Sequence, residues 1–172
     1  LEYPEQAAAH HNLAMALRKL NRPEEALIRS KIAFELSPDH PTLAFSLGLS
    51  FEKAGYLPEA EDMYRQALLL KPNHSGVLNN LGRLLESQGH HSAALDCLEK
   101  AAILSPADRD IALNLANTFL ALGRPRDAQR LLKSAPRTAA AANALGIASY
   151  VQRDWQSASA QFRHATKLSP GF

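Results

Sequence analysis

Seven histidines and one cysteine are the residues of this 172-residue chain best suited to metal binding or nucleophilic chemistry. The histidines include two adjacent pairs, His10-His11 and His90-His91. Neighbouring side chains point in different directions on a helix, whereas a helical metal site needs ligands four residues apart. Cys97 has no basic residue directly beside it to stabilise a thiolate. Surface histidines and a buried structural thiol are the favoured interpretations, so we expect no metal, no cofactor and no catalytic residue.

The charged residues give a formal net charge of only +2, from 19 basic and 17 acidic side chains. This balance is too weak to indicate nucleic-acid binding. One basic cluster is present, formed by Arg124, Arg126, Arg130, Lys133 and Arg137. A solvated helix face is the favoured interpretation, and a docking patch for an acidic partner or for membrane headgroups is the alternative. No run approaches the ~20 apolar residues of a membrane span, which predicts a soluble segment and leaves cytoplasm and periplasm both open.

The elements that position these side chains are internal repeats. Residues 43–72 and 77–106 align without a gap at a period of 34 residues. The same register gives an end of a preceding repeat at 1–6 and repeats at 7–40, 41–74, 75–108, 109–138 and 139–172. Position 8 of each repeat is glycine or alanine, positions 20 and 27 are alanine, and proline occupies position 32 of four repeats. Small residues at fixed positions indicate places where two helix backbones come close.

Within each repeat the spacing predicts two antiparallel helices. Leu78, Leu81 and Leu85 recur at steps of three and four residues, which places them on one helix face. A glycine after the first helix predicts a left-handed C-cap, and a proline nearby predicts the first turn of the second helix. The glycines are Gly55, Gly89 and Gly123, and the prolines are Pro23, Pro58 and Pro125.

These positions resemble the tetratricopeptide repeat, whose signature is W-x2-L-G-x2-Y, then A-x3-F, then P. Repeat 41–74 carries it as Leu47, Gly48, Phe51, Ala60, Tyr64, Ala67 and Pro72. The resemblance implies an all-α, right-handed superhelical solenoid of antiparallel helix pairs. Ser30 and Ser149 replace residues that are usually large. Repeat 109–138 is four residues short and contains Pro136, so we expect its second helix to stop near Ser134.

The resemblance also implies a concave surface lined by first helices, at positions 2, 5, 6, 9, 12 and 13 of each repeat. The candidate partner-binding residues on it are Asn12, Arg18, Lys19, Phe45, Leu49, Lys53, Asn79, Asn80, Arg83, Asn114, Asn117, Asn143, Ile147 and Tyr150. Asparagine recurs at position 6, and its amide can pair with the backbone of an extended peptide. The alternative is that this asparagine supports local packing. Apolar residues at the last repeat indicate an anchor for a ligand side chain or a face covered by a further repeat.

The expected function is non-catalytic protein–protein interaction, with an extended segment of a protein or peptide partner on the concave surface. The residues do not match the carboxylate clamp with which similar repeats hold chaperone tails, because the required cations are missing. A spacer or scaffold in a bacterial secretion, pilus or exopolysaccharide machine is the alternative, as is a substrate-recruiting arm of an enzyme. We also expect a fragment of a longer array, whose uncapped ends would favour self-association.

Overall fold

The computed structural model describes residues 5–133 and 138–169, and the secondary structure of that part consists of ten α-helices. The first helices of the repeats are α1 (Glu5–Lys19), α3 (Pro41–Lys53), α5 (Ser75–Ser87), α7 (Arg109–Ala121) and α9 (Ala139–Val151). The second helices are α2 (Pro23–Leu36), α4 (Leu57–Leu70), α6 (His91–Leu104), α8 (Pro125–Leu132) and α10 (Trp155–Leu168). The expected all-α class is therefore confirmed, while the limits of the repeats stay a prediction.

The turn between the two helices of each repeat has a left-handed residue at the same position. Gly55, Gly89 and Gly123 have φ of 87°, 80° and 69°, which confirms the predicted C-caps. Asn21 and Arg153 hold the equivalent place with φ of 55° and 62°, a conformation that non-glycine residues adopt at a cost. The turn therefore keeps its left-handed geometry in the two repeats in which another residue replaces the glycine.

The prolines begin and end helices as expected. Pro23 and Pro125 are the first residues of α2 and α8, and Pro58 is the second residue of α4. α2, α4 and α6 each stop two residues before the next proline, at Leu36, Leu70 and Leu104. Asp108 caps α7, since its side chain accepts hydrogen bonds from the backbone N–H groups of Asp110 (2.9 Å) and Ile111 (3.2 Å).

The chain divides into two compact units, Leu1–Leu84 and Leu85–Phe172, and the division falls within α5. In the first unit, α1 packs against α2 and α3, and α3 packs against α4. Tyr64 of α4 is fully buried against Gly48 of α3, where a Cβ atom would lie 2.7 Å from the ring. The glycine at position 8 is therefore required by an aromatic ring at position 24.

In the second unit, α7 packs against α6, α8 and α9, and α9 packs against α10. α8 has 8 residues, whereas the other second helices have 14. One apolar cluster nevertheless continues from Leu98 and Phe119 through Leu132 to Ala144. Gln129 also donates a hydrogen bond to the Ser149 hydroxyl at 3.2 Å, so the short helix still contacts the next repeat.

Several expectations concern residues outside the described part of the chain. α8 ends at Leu132, which agrees with the expected early stop, but Ser134 and Pro136 lie outside the described residues. The same holds for Ala135, for Arg137 of the basic cluster, for Pro170 at position 32 of the last repeat, and for residues 1–4.

Candidate functional site

The largest concentration of predicted binding residues surrounds an open groove of about 740 Å³ in the first unit. α1 and α3 supply its walls. The lining residues are Asn12, Met15, Ala16, Arg18, Lys19, Leu49 and Lys53. Five of these are candidates from the sequence. Met15 occupies an inward position by the resemblance but was not among them, and Ala16 carries no signal of its own.

Arg18 lines the groove, yet its guanidinium also makes contacts inside the unit. Its Nη1 atom donates to the Ser46 carbonyl and hydroxyl, both at 3.1 Å, and to the Ser50 hydroxyl at 2.7 Å. Ser50 in turn shares a buried 2.7 Å hydrogen bond with Ser30. Burial lowers the pKa of Arg18 from its usual value. Arg18 therefore connects α1 to α3, and much of its hydrogen-bonding capacity is used there.

Arg83 is occupied in a similar way by a group from another repeat. Its guanidinium forms an ion pair with Glu52, and the other oxygen of that carboxylate accepts a 2.7 Å hydrogen bond from the Tyr64 hydroxyl. Burial, together with the Glu52 carboxylate, raises the pKa of Tyr64 well above its usual value. The pairing partner of Arg83 was itself at an inward position, which is the sequence signal that could have predicted this contact.

Lys19 and Lys53 differ from these arginines. Both side chains are exposed on the groove, and neither forms an ion pair with a described residue. Both lysines occupy position 13 of their repeats, on the first helices α1 and α3. The groove is thus lined by two ammonium groups and by an apolar surface formed by Met15, Ala16 and Leu49.

The remaining candidates of the first unit take part in packing. Phe45 is partly buried, with its ring centroid 5.8 Å from that of Tyr64 and 5.6 Å from that of His74. Asn79 and Asn80 are partly buried as well, and the Asn80 amide donates to the Gly76 carbonyl at 2.8 Å. This bond lies within α5 and favours the local-packing alternative for Asn80.

The candidates of the second unit lie on α7 and α9. Asn114 and Asn143 are partly buried, whereas Asn117 is exposed. Ile147 and Tyr150 are exposed, and the Tyr150 ring meets Trp155 edge-on with centroids 5.1 Å apart. Trp155, the first residue of α10, is 56% exposed.

The basic cluster is partly neutralised by its own acidic residue. Asp127 forms ion pairs with Arg124 at 2.8 Å and with Arg130 at 3.6 Å. Arg124 also lies over the Phe119 ring, 4.6 Å from its centroid. These contacts suit the solvated-helix interpretation, since part of the positive charge is compensated on the helix surface.

Other chemistry expected from the sequence is placed as follows. The expectation of surface histidines is wrong for His11, which is buried; His90, the N-cap of α6, is exposed, and His91, the first residue of that helix, is partly buried. Cys97 is partly buried rather than fully buried. Across residues 5–133 and 138–169, no group of three or more histidine, cysteine or acidic side chains could hold a metal ion. None of the described helices is long and apolar enough to cross a membrane.

Comparison with known proteins agrees with this architecture. Two tetratricopeptide repeat models match the chain, one at residues 11–76 and 45–109 and the other at 85–148. No curated protein sequence matches it significantly.

Several solved structures have the same fold at low sequence identity. Residues 41 to the end of MamA from Desulfovibrio magneticus RS-1 give a TM-score of 0.87 at 20% identity, over 98% of each chain. PilF from Pseudomonas aeruginosa gives 0.84 at 21% identity, over 96% of this chain and 77% of that one. YrrB, described as a TPR protein with an unusual peptide-binding site, gives 0.78 at 22% identity, over 97% and 88%. The chain belongs to the tetratricopeptide repeat family, whose fold serves in general as a protein–protein interaction module.

Proposed function

We propose that the chain is a non-catalytic interaction module whose first unit binds an extended segment of a partner protein. The observation that carries this proposal is the 740 Å³ groove between α1 and α3, because predicted binding residues from two repeats line it together. Asn12 offers an amide that can pair with a peptide backbone. Met15 and Leu49 offer an adaptable apolar surface, since methionine changes shape at little cost.

The spacing of neighbouring helices is compatible with an extended peptide that crosses the groove. Neighbouring helices pack with axes about 8–10 Å apart, and an extended chain advances about 3.3 Å per residue. A segment crossing from α1 to α3 would therefore place a side chain at each helix about every third residue. The peptide-binding site in the description of YrrB supports the same use of this fold.

A library of random peptides displayed on phage tests the proposal. We expect panning on the full chain to enrich peptides that also bind in solution. Met15→Glu should weaken their binding about tenfold or more, because it places a charge on the apolar surface. Leu69→Glu is the matched control, since Leu69 lies on α4, is 83% exposed and does not line the groove. No enrichment, or equal binding to both variants, would contradict the proposal.

A further inference from the structure

We infer that the partner segment recognised by this groove is acidic, and that it carries an apolar side chain next to a pair of carboxylates. This inference rests on the proposed function and specifies the chemistry of its ligand. It depends on which cations of the first unit are available to a partner and on the apolar residues that line the groove beside them.

Three of the positive side chains near the groove are distinguishable by their contacts. Arg18 is tied to Ser46 and Ser50, and it is partly buried. Lys19 and Lys53 have exposed side chains and no ion pair among the described residues. The two lysines can therefore turn towards a ligand without breaking an internal contact.

The neighbouring acidic group does not cancel this charge. Glu52 precedes Lys53, but its carboxylate is already shared between Arg83 and the Tyr64 hydroxyl. Its side chain is only 15% exposed, so it offers little surface to a ligand. Among the described residues, no acidic side chain lines the groove. A bound segment would accordingly meet two ammonium groups and one partly buried guanidinium.

The apolar part of the groove sets the second requirement. Met15 is 46% exposed, and Leu49 is partly buried beside it. An apolar side chain inserted there would remove both its own surface and theirs from water, which favours binding. Because the lysines occupy the same position of successive repeats, two carboxylates that meet them should stand about two to four residues apart. Met15 and Leu49 precede the lysines by four residues, about one turn along each helix, so the apolar residue should lie next to the pair of carboxylates.

Electrostatic complementarity of this kind determines specificity and association rate. A basic segment would be repelled by the lysines, and an acidic segment without an apolar residue would leave Met15 and Leu49 exposed. Both requirements are properties of the ligand, so an unbiased selection can test them separately.

The test compares two selections from the same random peptide library. The full chain should enrich peptides that carry two Asp or Glu residues about two to four positions apart and Leu, Ile, Met or Phe beside them. The double variant Lys19→Glu/Lys53→Glu should lose those peptides and enrich basic ones. Lys71→Glu/Lys100→Glu changes the net charge equally at exposed residues that do not line the groove, and it should enrich the wild-type peptides.

Enriched peptides then give a quantitative check by fluorescence anisotropy. Replacing both carboxylates with amides, or the apolar residue with serine, should weaken binding about tenfold in each case. Peptides that lack acidic residues, or that bind the lysine double variant equally well, would overturn this inference while leaving peptide binding itself in place. Failure to enrich any peptide would instead contradict the proposed function.

Discussion

The helix pairs α1–α2 and α3–α4 fill the same interior position in opposite ways. In α3–α4, the fully buried ring of Tyr64 fits against Gly48, and its hydroxyl binds Glu52. In α1–α2 the equivalent residue is Ser30, which hydrogen-bonds Ser50 next to the Arg18 guanidinium. One pair therefore uses an aromatic ring where the other uses hydroxyls and a cation. Arg18 of the first pair is bonded to Ser46 and Ser50, and Glu52 of the second pair binds Arg83 of α5, so both inward-facing arginines are engaged, whereas Lys19 and Lys53 form no ion pair with a described residue.

The largest expected effect concerns the ring itself. Tyr64→Ala should reduce the free energy of unfolding by about 3–5 kcal/mol, because it leaves a cavity beside Gly48. Ser30→Ala, at the same position of the preceding repeat, removes one hydrogen bond and should cost about 0.5–1.5 kcal/mol. Urea denaturation followed by circular dichroism measures both. Equal losses would show that the two pairs are not stabilised by different means.

Removal of the cation should have the next largest effect. Arg18→Met keeps much of the apolar stem but deletes the hydrogen bonds to Ser46 and Ser50, which should cost about 1.5–3 kcal/mol in the same measurement. Arg65→Met is the matched control, because Arg65 forms an exposed ion pair with Glu61 on α4 and should lose no more than about 0.5 kcal/mol. A similar loss for both variants would mean that Arg18 contributes no more than a surface pair.

The smallest effect is a dependence on pH. Burial, with Arg18 and His40 nearby, lowers the pKa of His11 below 6.5, and burial with Lys71 does the same for His74. The unfolded chain then binds more protons, so stability should fall as the pH drops below 6.5, by at most about 1.4 kcal/mol per pH unit for each histidine.

Substituting the two histidines separately assigns this effect to one helix pair or the other. His11→Gln and His74→Gln should each reduce the slope of unfolding free energy against pH between 7.5 and 5.5. His90→Gln, with its exposed side chain, is the control. A slope unchanged by both substitutions would exclude these residues as its source.

Much of the helical framework follows from the sequence because its signals are local. Prolines at helix starts and glycines after first helices act on residues close together in the chain, and the 34-residue period repeats these local signals. The availability of the candidate site residues does not follow in this way. Whether Arg18 and Arg83 are available to a partner depends on their contacts with Ser46, Ser50 and Glu52. These residues lie in another repeat, and the sequence does not specify which of their rotamers is adopted. The role of Met15 on the groove follows from its exposure, which only the structure gives. The local bond of Asn80 follows from the rotamer that turns its amide towards the Gly76 carbonyl.

The hydrogen bonds of Arg18 have a consequence for folding. Repeated units with similar apolar faces are prone to pair with the wrong neighbour, a common failure of repeat proteins. Leucines and alanines cannot distinguish one unit from another, whereas a guanidinium needs acceptors at particular places. Ser46 and Ser50 provide them on α3, and Ser30 completes the set on α2. We expect this polar contact to specify the correct pairing, so that α1 packs on α3 rather than on a later helix.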